Sequence, residues 1–309
     1  MKRNKHTNLS LTVGITTCYG DPSILETVKA LHNSEGAGNF QFIIISDRKP
    51  FASWVKRELK RLNIQLVENQ TAESQTYKHK QILRLARGKI LIFTQDDVLF
   101  APTSIREIVN CFRQNADVTF VSICNLPLPS TSTLESVLNV GTRMNIRISE
   151  RWNHGDNYLS VVGRCMAYRT SWAKKTLHVP NGVTTTDAYH YFNNRRHGGV
   201  YRYLPKTFLY FRNPGKYSEY ARKSSRFQYS KLEMSRHFGD LTHAYQVPFM
   251  IKLNALLSEF VHNPIKFGLY ICVYAYSRTF KLTQEEVLNP IWEVDVSTKK
   301  ISSFNLDKI

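Results

Sequence analysis

Lys89-Ile90-Leu91-Ile92-Phe93-Thr94-Gln95-Asp96-Asp97 is the stretch that decides the fold. A short apolar run ends abruptly in two carboxylates. Such a run, bounded by polar residues, reads as a strand buried on both faces, the kind found in parallel sheets. Upstream, residues 11–17 (LTVGITT) are β-rich and stop at the turn cluster Tyr19-Gly20-Asp21-Pro22. Behind Pro22, a favourable early-helix residue, Ile24, Leu25, Val28 and Leu31 fall at helical spacing. Residues 42–46 (FIIIS) give a second buried strand ending at Asp47, and Phe51, Trp54, Val55, Leu59 and Leu62 mark a second helix. A short strand at 64–67 and a basic helix at 75–87 lead back to the opening stretch. Downstream come a helix (Ile105, Ile108, Val109, Phe112) and a strand at 118–124. Strand–helix alternation at about 20 to 30 residues per unit implies right-handed crossovers. The reading is an α/β fold, a Rossmann-like, mostly parallel sheet flanked by helices.

Past Pro127 the pattern loosens. Residues 158–168 read as a strand or hairpin arm, 186–196 as a helix, and 200–211 as an aromatic-rich strand broken at Pro205. From about Tyr217 the pattern is helical, near 217–237, 248–261 and 264–280. The division expected is a sheet domain over 1–236 and a helical, amphipathic extension over 237–309.

Composition narrows the function. The chain has 309 residues, 42% hydrophobic and 21% charged, which excludes a disordered or collagen-like polymer. A net charge of +18 favours a polyanionic partner. The five cysteines are scattered, with no C-x-x-C, so neither a zinc ribbon nor a disulfide framework is indicated. Residues 1–10 are polar and basic, without the apolar core of a secretory signal, and the expected location is cytoplasmic. The apolar run 267–277 has eleven residues, where a span needs about 20. It reads as a buried helix or as one lying on a membrane surface.

The chemistry is carboxylate chemistry. No G-x-G-x-x-G follows the first strand, and G-x-x-x-x-G-K-[ST], G-x-S-x-G and H-E-x-x-H are all absent. In an open parallel sheet, ligands bind at the carboxyl ends of the strands. Asp96 and Asp97 stand at one such end and Asp47 at another; Asp187 follows three threonines at the start of a helical pattern. Adjacent aspartates suit Mg²⁺ or Mn²⁺, which take carboxylates together with substrate phosphates. Each of these residues also has a plain reading, as a turn or a helix cap. Their conjunction is the signal.

The order TVGITTCYGDPSILETVKAL, FIIISDR, ARGKILIFTQDDV, VVGRCMAYR, TTTDAY and YLPKTFLYFRNPGKYSEYARKSSRF resembles the family-2 glycosyltransferases of GT-A fold, over roughly residues 10–230. The resemblance implies inverting transfer of a sugar from a nucleotide sugar to an acceptor hydroxyl. It places Thr16, Thr17 and Tyr19 at the nucleotide, and Asp47 on the base. Gln95-Asp96-Asp97 matches the D-x-D motif with glutamine replacing its first acid. By that match Asp97 binds the metal, Mn²⁺ or Mg²⁺, and Asp96 lies near the ribose or diphosphate. Asp187 matches the catalytic base. Gly163 and Arg164 match the segment flanking the donor sugar and acceptor, and Arg226 a diphosphate contact. Only the arginine of the processive Q-x-x-R-W motif is retained, which favours single-sugar transfer. UDP-sugars are favoured as donors, with guanosine donors open. His190, His197 and His237 are candidates for a further metal ligand or, more simply, packing and surface residues.

Residues 195–236 hold eleven Lys/Arg against two Asp/Glu, a net of +9. Beyond a solvated basic face, two partners fit. One is an anionic membrane beside the aromatic tail (Phe249, Phe260, Phe267, Tyr270, Tyr274, Tyr276), which would bring a lipid-linked or cell-surface glycan acceptor to the site. The other is nucleic acid, which no accompanying fold pattern supports and which is not expected. The competing functions are a basic binding protein on a degenerate transferase scaffold and a sugar nucleotidyltransferase.

Overall fold

The parallel pattern read from the strands is realised in a single twisted sheet. The computed structural model describes residues 11–35, 40–279, 289–291, 295–299 and 301. The polar start, residues 1–10, lies outside them. Strand β1 (Leu11–Thr16) pairs in parallel with β2 (Phe40–Ser46) and with β4 (Ile90–Gln95), and β2 pairs with β3 (Gln65–Glu68). The helices between them are α1 (Ile24–His32), α2 (Ser53–Arg61) and α3 (Gln75–Leu85). Side chains alternate across each strand, so Val13, Ile15, Ile44 and Ile92 enter one core while Ile43, Ile45, Leu91 and Phe93 enter the other. Burial on both faces explains why these strands read as unbroken apolar runs.

Beyond β4 the sheet turns mixed. Strand β5 (Val98–Phe100) and helix α4 (Ser104–Gln114) precede β6 (Val118–Pro127); β7 (Cys165–Arg169) follows after a long helix, α5 (Thr133–Arg151). Helices α6 (Thr170–Thr176) and α7 (Thr186–Arg196) lead to β8 (Val200–Phe211). The order is β3-β2-β1-β4-β7-β6-β8-β5, with β7 antiparallel to both neighbours and β5 antiparallel to β8. Three expectations need correction. Residues 158–168 are not a continuous arm: 158–160 form a 3-10 turn, which Asn157 caps through bonds from the Leu159 and Ser160 amides, and pairing starts at Cys165. The loosened pattern after Pro127 contains the 19-residue α5, whose polar flank obscured it. Pro205 does not end β8; the register with β6 slips between Leu204 and Phe208, a bulge around a residue with no N–H to donate.

The tail forms α8 (Tyr217–Phe238), α9 (Phe249–His262) and α10 (Pro264–Thr279). Helices α9 and α10 dock on α5. Glu259, 1% exposed, pairs with Arg143 at 2.8 Å and Arg147 at 3.3 Å. Tyr270 lies so close to Gly141 that a β-carbon there would sit 2.3 Å from its ring. Of the tail aromatics, Tyr270 is buried, whereas Phe249, Phe260 and Tyr276 are exposed. No helix among the described residues is long and apolar enough to cross a membrane.

Candidate active site

Parallel pairing aligns strand ends. Thr16 is in register with Ile45 and with Gln95, so Thr16-Thr17, Asp47 and Asp96-Asp97 emerge along one sheet edge. Antiparallel β7 begins where β4 ends, Thr94 facing Cys165, and this brings Gly163-Arg164 to the same edge. The Thr94 hydroxyl donates to the Arg164 carbonyl at 2.7 Å, fixing that approach. A cavity of about 240 Å³ opens there, lined by Thr16, Thr17, Asp96, Asp97, Gly163, Arg164, Asp187 and Arg226.

Eight of the ten expected site residues therefore share one cavity, and two stand outside its lining. Asp47 is 2% exposed; it accepts from the Glu73 amide at 2.7 Å and lies 3.2 Å from the Lys78 ammonium. Lys78 also donates to the Thr17 carbonyl at 3.0 Å, tying α3 to the end of β1. Tyr19 is 43% exposed, in the left-handed region at φ 68°, with its hydroxyl accepting from Arg48 at 2.7 Å. The neighbouring Gly20 is also left-handed, and a β-carbon there would meet the Pro50 carbonyl at 2.6 Å, so only glycine closes this turn. The three histidines are placed elsewhere. His190 is buried against Tyr168, His197 bonds the Asn193 carbonyl, and His237 packs on Tyr189.

The carboxylates differ in environment. Both Asp96 oxygens are engaged, one by the Thr17 hydroxyl and the other by the Lys299 ammonium. Asp97 accepts from the Thr298 hydroxyl at 2.9 Å through Oδ2, while its buried Oδ1 has no hydrogen-bond partner among the described residues. Although burial opposes ionisation, the charges of Lys299 and Arg164 hold the Asp97 carboxyl below its ordinary value. Burial instead pushes the Asp187 carboxyl up, against hydrogen bonds from the Ala188 and Gly163 amides and the charge of Arg164. Asp187 occupies the first turn of α7, where helix amides point at it.

The loop before α7 is held by a residue that the sequence did not mark. Glu233, on α8 and 5% exposed, accepts from the Thr184 and Thr185 amides at 2.7 and 2.9 Å and from both threonine hydroxyls. Lys223, also on α8, faces the cavity between Arg164 and Arg226. Burial and the Arg164 charge push its ammonium down to about 7. Arg164 itself stacks over Phe211, its guanidinium carbon 3.7 Å from the ring centroid. From the far end of the chain, Asp295, Thr298 and Lys299 complete the wall. Glu233 and Lys223 looked like members of a basic surface helix, and nothing local distinguishes them. Asp295–Lys299 carry no motif.

An acid-lined strand edge ringed by cations suits a ligand with phosphates at one end and a group to be deprotonated near the other. Metal binding has a place here. Mn²⁺ or Mg²⁺ binds through one or two carboxylates plus phosphate oxygens, and the partnerless Asp97 Oδ1 meets that need. Among the described residues, no group of three or more His, Cys, Asp or Glu is placed to cage an ion by itself.

Residues 10–230 match the model of the family described as "Glycosyltransferase like family 2". The fold is similar to that of the mannosyltransferase PcManGT from Pyrobaculum calidifontis, solved in complex with GDP-Man and Mn²⁺. The two share 15% identity and a TM-score of 0.54, over 88% of this chain and 76% of that one. It is also similar to residues 1–349 of S. aureus TarS, at 13% identity and a TM-score of 0.51, over 90% of this chain and 82% of that one. No curated protein matches the sequence.

Proposed function

Because this chain belongs to glycosyltransferase family 2 and is a glycosyltransferase of GT-A fold, we propose that it moves a single sugar, with inversion, from a nucleoside-diphosphate sugar to an acceptor hydroxyl. The observation that carries this reading is the shared cavity, with Asp97 at the end of β4 and Asp187 at the start of α7 facing it across Arg164.

Asp187 acts as the base. A carboxylate raised by desolvation is a better proton acceptor than a solvated one, because its pKa moves toward the working pH. It takes the acceptor's proton as that oxygen attacks the anomeric carbon from the face opposite the diphosphate. Arg164, Lys223 and Arg226 hold the departing diphosphate and stabilise its charge. Asp97 Oδ1 is the atom that would hold Mn²⁺ or Mg²⁺. When bound, such a cation neutralises charge on the leaving group. Thr16, Thr17 and Asp96 form the nucleotide end, with UDP-sugars favoured over guanosine donors.

For the acceptor we favour a lipid-linked or cell-surface glycan, reached from an anionic membrane surface. Phe249, Met250, Val261 and Ile265 are each more than 60% exposed on the α9–α10 hairpin, interspersed with exposed Lys252 and Lys266. Apolar side chains edged by lysines are what an interfacial helix presents to anionic lipid. A thermal-shift panel of uridine and guanosine diphosphates and their sugars, with and without Mn²⁺ or Mg²⁺, tests the donor assignment. A metal-dependent rise in Tm with one base family is the expected result, since a ligand of the native state stabilises it. No rise with any donor would overturn it.

A further inference from the structure

The segment Asp295–Lys299 lies some 200 positions from β4 in sequence yet closes over both of its acids. Three successive residues anchor it. Ser297 accepts from the Gly215 amide at 2.8 Å and donates to Glu219, Thr298 donates to Asp97 at 2.9 Å, and Lys299 reaches Asp96. The Lys299 side chain is 12% exposed and that of Asp96 is 3% exposed. A buried ammonium and a buried carboxylate each need the other, since either alone in so dry a place is costly. Thr17 already engages the second Asp96 oxygen, so Lys299 is the cation that balances this carboxylate.

The pairing bears on donor binding, and the argument rests on the function proposed above. A nucleotide sugar brings a doubly charged diphosphate alongside Asp97 and Asp96, where like charges repel. An ammonium carries three donors, and Asp96 takes one of them. We propose that Lys299 is a ligand of the donor's diphosphate, the strap Asp295–Lys299 closing over the nucleotide so that the ammonium joins Asp96 to a phosphoryl oxygen. The C-terminal segment is thereby part of the donor site, and the family-matched region, residues 10–230, is incomplete without it.

The test is the affinity of the full-length protein for UDP and GDP, with Mn²⁺, by calorimetry. Lys299→Ala is expected to weaken the preferred diphosphate tenfold or more, and Lys299→Arg to retain most of the affinity. Lys29→Ala, on the exposed side of α1, should change nothing. Circular dichroism and Tm of each variant separate a binding loss from misfolding, and Thr298→Val, which loosens the strap but keeps the charge, should give a smaller loss. If wild type binds and Lys299→Ala binds equally or more tightly, the strap is a plug and this assignment fails while the transferase reading stands. If wild type binds neither diphosphate, both fail together.

Discussion

Glu233 holds the loop that leads into Asp187, the proposed catalytic base. Its carboxylate accepts from two amides and two hydroxyls of Thr184-Thr185, immediately before Asp187. Glu233→Ala leaves four donors without that partner, two of them backbone amides. At about 1–3 kcal/mol for each buried donor left unmet, and with partial relaxation, the expected loss of stability is about 3 kcal/mol. Glu233→Gln is the sharper probe, because it preserves shape. A carboxylate only accepts, whereas the amide group must aim an NH₂ at one set of donors. The expected stability loss is then about 1–2 kcal/mol, with the loop before Asp187 displaced. A displacement of about 1 Å at a reacting group costs roughly 100-fold in rate. Steady-state kinetics of Glu233→Gln should thus show kcat down by roughly 100-fold with nucleotide affinity nearly unchanged. A variant that melts earlier but turns over at the wild-type rate would refute the positioning role.

Further outcomes follow from the same geometry. Lys223 is held down to about 7, so at higher pH it is neutral in the empty site. An arriving diphosphate restores its proton, so affinity should fall as pH rises from 7 to 8.5, and Lys223→Met should flatten that slope in calorimetry. The acid limb of kcat should lie above the ordinary carboxylate value because burial raises Asp187; a limb at or below 3.8 would contradict this. Gly141→Val puts bulk where Tyr270 sits and should lower Tm by several degrees; an unchanged Tm would show that α10 is not docked there. Anionic liposomes should carry the protein up in flotation at low salt. Phe249→Glu with Val261→Glu should abolish that, and flotation unaffected by the pair would remove the hairpin from the contact.

The parallel half of the sheet was legible because β1, β2 and β4 are buried on both faces and end at a carboxylate or turn. Asp96 and Asp97 were placed by that logic alone, whereas Thr16, which register aligns with the end of β4, came from the resemblance. Asp187 and Arg164 needed the resemblance, since a helix cap and a strand-end arginine look the same without chemistry. The antiparallel strands β5 and β7 were harder, because three- and five-residue strands have too little period to read. Glu233, Lys223 and Lys299 were illegible for another reason. Their roles are tertiary, created by α8 and the C-terminal strap folding back on the sheet edge, and a buried acid–threonine cluster leaves no spacing pattern. Asp47 shows the reverse limit, its position foreseen but its carboxylate found on Lys78 and the Glu73 amide.

In the proposed reaction one cavity holds the donor and Asp187 deprotonates the acceptor. The most direct measurement compares Asp187→Asn with wild type in two assays, nucleotide binding by calorimetry and sugar transfer by product release. Donor binding should stay within about threefold of wild type and transfer should fall by a factor on the order of 1,000, since general-base catalysis contributes roughly 10²–10⁴. Transfer within tenfold of wild type, with binding intact, would contradict the role proposed for Asp187.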